Sequence, residues 1–171
     1  MIGSRSSTIT APDGTGFPGR MEASLRDKLP GVTVNVALQL QVKKTAEEVT
    51  KDIDQLLEGK KPTLVIWQTG TVDAMRSIDP DDFRTAVDEG VAAMQKAGAD
   101  VVLINLQYTP RMETMISTTP YIDIMRVAAQ QREVPLFDRF AIMHHWNETG
   151  SFDLFSAARG VDLAKRVHDC L

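Results

Sequence analysis

Short β-branched runs alternate with helical periods from one end of this chain to the other, and no hairpin turn sequence joins any two of the runs. Val32, Val34, Val36, Leu38, Leu40 and Val42 alternate as strand residues do, and Thr63–Trp67, Val101–Leu106 and Val134–Phe137 are short apolar runs of the kind buried in a sheet. Between them lie helices. Phe17, Met21, Leu25 and Leu29 recur at i+4. Thr45-x-x-Glu48 is a capping box, followed by Val49, Ile53, Leu56 and Leu57 on one face. Asp79-Pro80 supplies an N-cap and a proline at N1 for a stripe of Phe83, Val87, Val91 and Met94 that Gly98 closes. Pro120–Arg132, a turn or two at Arg139–Trp146, and about Gly160 to Leu171 complete the helical set, and Gln107–Thr119 reads as an irregular loop. Parallel strands need crossovers, and crossovers are right-handed. The alternation therefore predicts one domain, residues 1–171, folded as a three-layer α/β/α sandwich around a mostly parallel sheet of about five strands.

Composition removes several function classes. A net charge of −4 and a pI near 5.4 leave no basic surplus for a nucleic-acid binder. The apolar runs, such as Leu64–Trp67 and Val101–Ile104, are too short to span a membrane. Cys170 is the sole cysteine, so there is no internal disulfide and no multi-cysteine zinc site. No P-loop occurs, which disfavours a flavodoxin-like small-molecule binder, and no cofactor is expected. No metal is expected either: His144 and His145 are adjacent, and neighbours on a regular helix cannot both face one site, so packing or capping is the simpler role. In sheets of this class ligands sit at the carboxyl ends of the strands. The lining segments are then Gly3–Gly16, Gln39–Lys44, Gln68–Arg76, Gln107–Met115 and Asn147–Asp162.

Several of these segments carry a family likeness. Trp67-Gln68-Thr69-Gly70-Thr71-Val72 resembles the third block of a bacterial branch of the SGNH (GDSL-type) hydrolases, where the block reads Trp-Gln-x-Gly-Thr-Asn. Gly3-Ser4-Arg5-Ser6-Ser7-Thr8 is similar to the first block, and Phe17-Pro18-Gly19-Arg20-Met21-Glu22 to the helix after it. Ala99–Leu103 with Gln107-Tyr108-x-Pro110, and Pro135–Phe140 with Met143 and Trp146, resemble the later blocks in the right order. The resemblance implies the SGNH-hydrolase fold, ancestral substrates that are esters, acetylated sugars or lipids, and a periplasmic or cell-envelope setting with any leader absent from this chain.

An active member of that family uses a serine nucleophile, a backbone N–H at a glycine, an asparagine amide and an Asp-x-x-His pair. Serine needs a base, and the oxyanion needs preplaced donors. By resemblance the nucleophile position holds Arg5, whose guanidinium only donates. The glycine position holds Lys43 and the asparagine position Val72, which donates nothing. The last block runs Arg159-Gly160-Val161-Asp162, and a carboxylate of pKa ~4 is a poor base for a serine proton. The first expectation is therefore a noncatalytic module binding a partner protein or a glycan, with Ser4, Arg5, Ser6, Thr71, Asp73 and Tyr108 as ligand-binding candidates. The alternative is an active ester hydrolase using Ser6 or Ser4 with His168 as base. The hydroxyls of Ser4, Ser6, Ser7 and Thr8 fit a nucleophile or anion cradle, and equally fit ordinary turn chemistry. Arg5 and Lys43 would either pair with Asp73 and Asp162 to close the former pocket or stand unpaired as an anion site. Oligomeric state is left open.

Overall fold

The computed structural model describes residues 1–4, 16–154 and 163–167; Arg5, Ser6, Ser7, Thr8, Arg159, Asp162 and His168 lie outside the described residues. In chain order the elements are β1 (Ile2–Gly3), α1 (Phe17–Lys28), β2 (Gln39–Leu40), α2 (Ala46–Lys51), α3 (Ile53–Leu57), β3 (Leu64–Gln68), α4 (Thr71–Met75), α5 (Pro80–Lys96), β4 (Asp100–Ile104), α6 (Pro110–Met115), α7 (Thr119–Gln131), β5 (Leu136–Phe137) and α8 (Arg139–Glu148). Residues 163–167 are also helical. The strands form one five-stranded sheet in the order β2-β1-β3-β4-β5, every pair parallel. The alternation of strand and helix thus has the outcome expected of it: a doubly wound α/β fold.

The helices begin where their caps place them. Thr45 Oγ1 accepts from Glu48 N–H while the Glu48 carboxylate accepts from Thr45 N–H, a complete capping box for α2. Asp79 caps α5 with Pro80 at its first position, and the stripe of Phe83, Val87, Val91 and Met94 is fully buried. One face of the central strands, Val65, Trp67, Val101 and Leu103, is buried, whereas Ile66 and Val102 on the opposite face are half-buried. The main core joins the buried strand face to Val49 and Ile53, to the α5 stripe and to Tyr121, Ile122 and Met125 of α7. A smaller cluster gathers Tyr108, Met143 and Val167.

Three expectations need correction. The run from Val32 to Val42 is strand only at Gln39–Leu40. It lies at the sheet edge, and upstream its backbone bonds side chains of α1 instead of a neighbouring strand: Arg26 donates to Val34 O and Glu22 accepts from Val36 N–H. Gln107–Thr119 is not irregular throughout. Thr109 Oγ1 accepts from Met112 N–H and Pro110 sits in the first turn, so the segment folds as α6. The helix after Thr45 breaks at Asp52 into α2 and α3.

Candidate functional site

The strand order reverses between β1 and β3: the chain leaves β1 for β2 on one side and returns to β3 on the other. A crevice opens beyond the carboxyl ends of strands at such a switch point. Here it is lined by Ser4, Gln41, Lys44, Gln68 and the turn from Thr69 to Val72. Ser4 follows β1 directly and Gln68 ends β3, and Gln68 Nε2 donates to Ser4 Oγ at 2.9 Å. A carboxamide is no base. The described groups therefore place a hydroxyl in the cleft beside an amide donor.

The turn after β3 is built tightly. Gly70 caps α4 at φ +92°, and a Cβ there would lie 2.6 Å from Leu106 Cδ1, so both the backbone conformation and the space call for glycine. Thr71 Oγ1 accepts from Gln107 N–H at 3.1 Å and fastens this turn to the loop after β4. Val72, at the position where the family resemblance puts an amide donor, lines the cleft with a side chain that cannot donate.

Asp73 does not serve the cleft as a counter-charge for Lys43. Its side chain is buried, with Oδ1 accepting from Ala46 N–H at 2.8 Å and Oδ2 enclosed without a partner. Burial raises its carboxyl above the ordinary value, and bonds from the N–H groups of Ala46, Asp73 and Gly70 offset this only in part. The expected ionic closure of the pocket thus loses Asp73.

Between Gln41 and Lys44 of the other wall, Lys43 is exposed at φ +63°, the left-handed conformation that glycine adopts freely. The turn thus holds a lysine in a conformation that glycine would adopt without strain. Lys44 reaches across to Asp52, Nζ to Oδ2 at 2.5 Å, so its charge is already answered. Gln41 Oε1 is buried with no hydrogen-bond partner.

Tyr108 is also buried, packed edge-on against Phe140 and His144, and its hydroxyl contacts Glu113 Oε2 at 3.1 Å. Its place is in the smaller core cluster. His144 lies over Phe140 between Glu113 and Glu148, and His145 faces solvent, so the adjacent pair shares no site. Among the described residues no group of three His, Cys, Asp or Glu side chains is placed to hold a metal ion, and no helix is long and apolar enough to cross a membrane.

One polar centre escaped the sequence reading. Asn105, fully buried at the end of β4, donates from Nδ2 to Asp138 Oδ1 at 2.7 Å and accepts Phe140 N–H at 2.9 Å. Arg139 is buried as well and donates to Asn105 O at 3.0 Å, and its desolvated guanidinium has its pKa lowered to about 10. Gln68, the partner of Ser4, was likewise not singled out. A polar residue closing the apolar run Leu64–Trp67 at the ligand edge was the available signal.

Comparison with known proteins agrees with this fold. The family described as the non-GDSL lipase-like family matches residues 1–171. No curated protein sequence matches. Among solved structures, TesA superposes with a TM-score of 0.74 at 19% identity, covering 98% of this chain and 92% of its own. A variant of Axe2, described as an acetyl-xylooligosaccharide esterase from Geobacillus Stearmophilus, gives 0.73 at 16% identity, covering 97% and 89%. AlinE4, described as an SGNH-hydrolase family esterase, gives 0.69 at 18% identity, covering 99% and 92%. At these identities the likeness is one of fold.

Proposed function

This chain belongs to the non-GDSL lipase-like family, and on that premise we propose that it is a binding module that keeps the hydrolase scaffold without the ester chemistry, taking a partner protein or a glycan at the β1–β3 cleft in a bacterial cell envelope or larger assembly. The turn Gly70–Asp73 supports this most strongly. Its one side chain on the cleft at the amide-donor position is Val72, and the neighbouring Asp73 is committed to Ala46 N–H inside the protein. An oxyanion forming here would meet no carboxamide donor from that turn, and an oxyanion donor is worth roughly 10²–10³ in rate. Glycans come first among ligands to try, since Axe2 is described as acting on acetyl-xylooligosaccharides and the cleft is lined by hydroxyls and carboxamides.

A second reading is an ester hydrolase with Ser4 or Ser6 as nucleophile and His168 as base. It is favoured by Ser4 standing at the switch point with its hydroxyl in the cleft. Incubation with acetylated xylo-oligosaccharide separates the two. A binding module shows a raised melting temperature and no acetate release. Acetate release that Ser4→Ala or Ser6→Ala abolishes establishes the hydrolase.

A further inference from the structure

Helix α6 is lightly held. It has no buried residue, Met115 is 76% exposed, and Met112 and Ile116 rest half-buried on the main core. Elements with few buried contacts open most readily, so an interaction of small worth sets how firmly such a helix stays in place. The helix also bears on the cleft, because the Gln107 N–H at the head of its loop is held by Thr71 Oγ1 of the cleft turn.

One tie between α6 and α8 runs through His144. Both of its ring nitrogens face carboxylates: Nδ1 lies 3.4 Å from Glu148 Oε2, one turn on in α8, and Nε2 lies 3.8 Å from Glu113 Oε1 of α6. Tyr108 meets the ring edge-on and Phe140 lies parallel to it. The Tyr108 hydroxyl donates to Glu113 Oε2 at 3.1 Å and accepts from Asn147 Nδ2 at 3.4 Å. Among the described residues the titratable groups facing the ring are therefore Glu113 from α6, Tyr108 from the loop before it and Glu148 from α8, while Arg166 of the helix over 163–167 is turned to Phe152. A neutral imidazole has one N–H and one lone pair, whereas the imidazolium has two N–H groups. With its single proton toward the nearer Glu148, the neutral ring turns a lone pair on Glu113. Protonated, it offers a donor to each carboxylate. We propose that His144 is a pH-dependent latch: as the imidazolium it ties α6 to α8, and as the neutral ring it lets α6 open together with the loop that Thr71 fastens to the cleft. The attraction is present on the acid side of the range in which histidine changes charge, about pH 5 to 8, and is lost as pH rises through it. The latch does not depend on what the cleft binds or whether it catalyses.

Amide hydrogen exchange of the full chain tests this, read on peptides covering α6 and expressed as protection relative to the free-peptide rate at each pH. The two conditions are about pH 5.5, between the ordinary glutamate and histidine ranges, and about pH 8. Protection of α6 should be about threefold to tenfold greater at the lower pH, the scale of part-exposed ion pairs. His144→Phe keeps a ring against Phe140 and Tyr108 but takes no proton, and it should abolish the difference between the two conditions. Glu113→Gln keeps an acceptor for the Tyr108 hydroxyl and should abolish it too. His145, exposed beside His144, serves as the control, and His145→Gln should leave the difference intact. A loss of protection in His144→Phe that is equal at both pH values would mean packing alone and would overturn the proposal. So would equal protection of wild type at both pH values, a difference that survives Glu113→Gln, or one that His145→Gln removes.

Discussion

The carboxylate of Asp73, in the first turn of α4, accepts the backbone N–H of Ala46, the first residue of α2, at 2.8 Å inside the protein. This bond ties together the two segments that wall the cleft. Asp73→Ala leaves a buried N–H without a partner and should cost about 1–3 kcal/mol in urea unfolding. Asp73→Asn keeps an acceptor for Ala46. It also removes a pH dependence whose sign is fixed: burial raises the folded-state pKa, so the folded chain binds this proton more tightly than the unfolded one. Stability is therefore lost as pH rises from the unfolded carboxyl's value, about 4, through the raised one. Melting temperatures measured across that window should fall for wild type relative to Asp73→Asn, and parallel curves would count against this role.

Lys43 occupies a left-handed conformation at φ +63° that costs an L-residue roughly 1–2 kcal/mol. Lys43→Gly removes that strain and gives back part of it as unfolded-chain entropy. A net gain of up to about 1 kcal/mol is expected by thermal unfolding, whereas Lys43→Val should lose stability.

Gly90, in the middle of α5, lies against the buried Trp67 ring. A Cβ there would sit 2.6 Å from Trp67 Cζ3 and 2.7 Å from Thr50 Oγ1. Helix propensity alone favours alanine by about 1 kcal/mol, so Gly90→Ala separates local preference from packing. Overpacking should win, with a net loss of about 1–3 kcal/mol in chemical denaturation.

Asp138 caps α8 and holds both Asn105 and Arg126. Burial pushes its carboxyl up, but the bonds from Arg126, Asn105 and Ala141 N–H more than offset this and keep it below its ordinary value. Its stabilisation is thus present above the unfolded carboxyl pKa and lost as pH falls through the folded one. Asp138→Asn should be less stable than wild type at pH 7, and the gap should close on acidification, as followed by melting temperature.

The elements most legible in the sequence are those whose signals are local. The capping box at Thr45 and Glu48 and the Asp79-Pro80 start name the beginnings of α2 and α5, and the Phe83–Met94 stripe names the face that packs on the sheet. Helix α6 carries the same kind of start, Thr109-Pro110, and could have been read the same way. The shortness of β2 could not. An alternating run pairs only where a neighbour stands, and at this edge Arg26 and Glu22 take the backbone groups instead. The ligand edge was legible as a set of segments, because strand ends locate it. Which way a side chain turns there was not: Asp73 and Tyr108 both point into the protein, drawn by the Ala46 N–H and by Phe140 and His144.

The most direct measurement is the turnover of 4-nitrophenyl acetate by the purified chain, alongside Ser4→Ala and Ser6→Ala variants. On the proposed reading, in which Val72 of the cleft lining stands where the family resemblance puts an oxyanion donor, wild type and both variants should hydrolyse the ester no faster than buffer. Saturable turnover by wild type that either serine substitution abolishes would contradict the account.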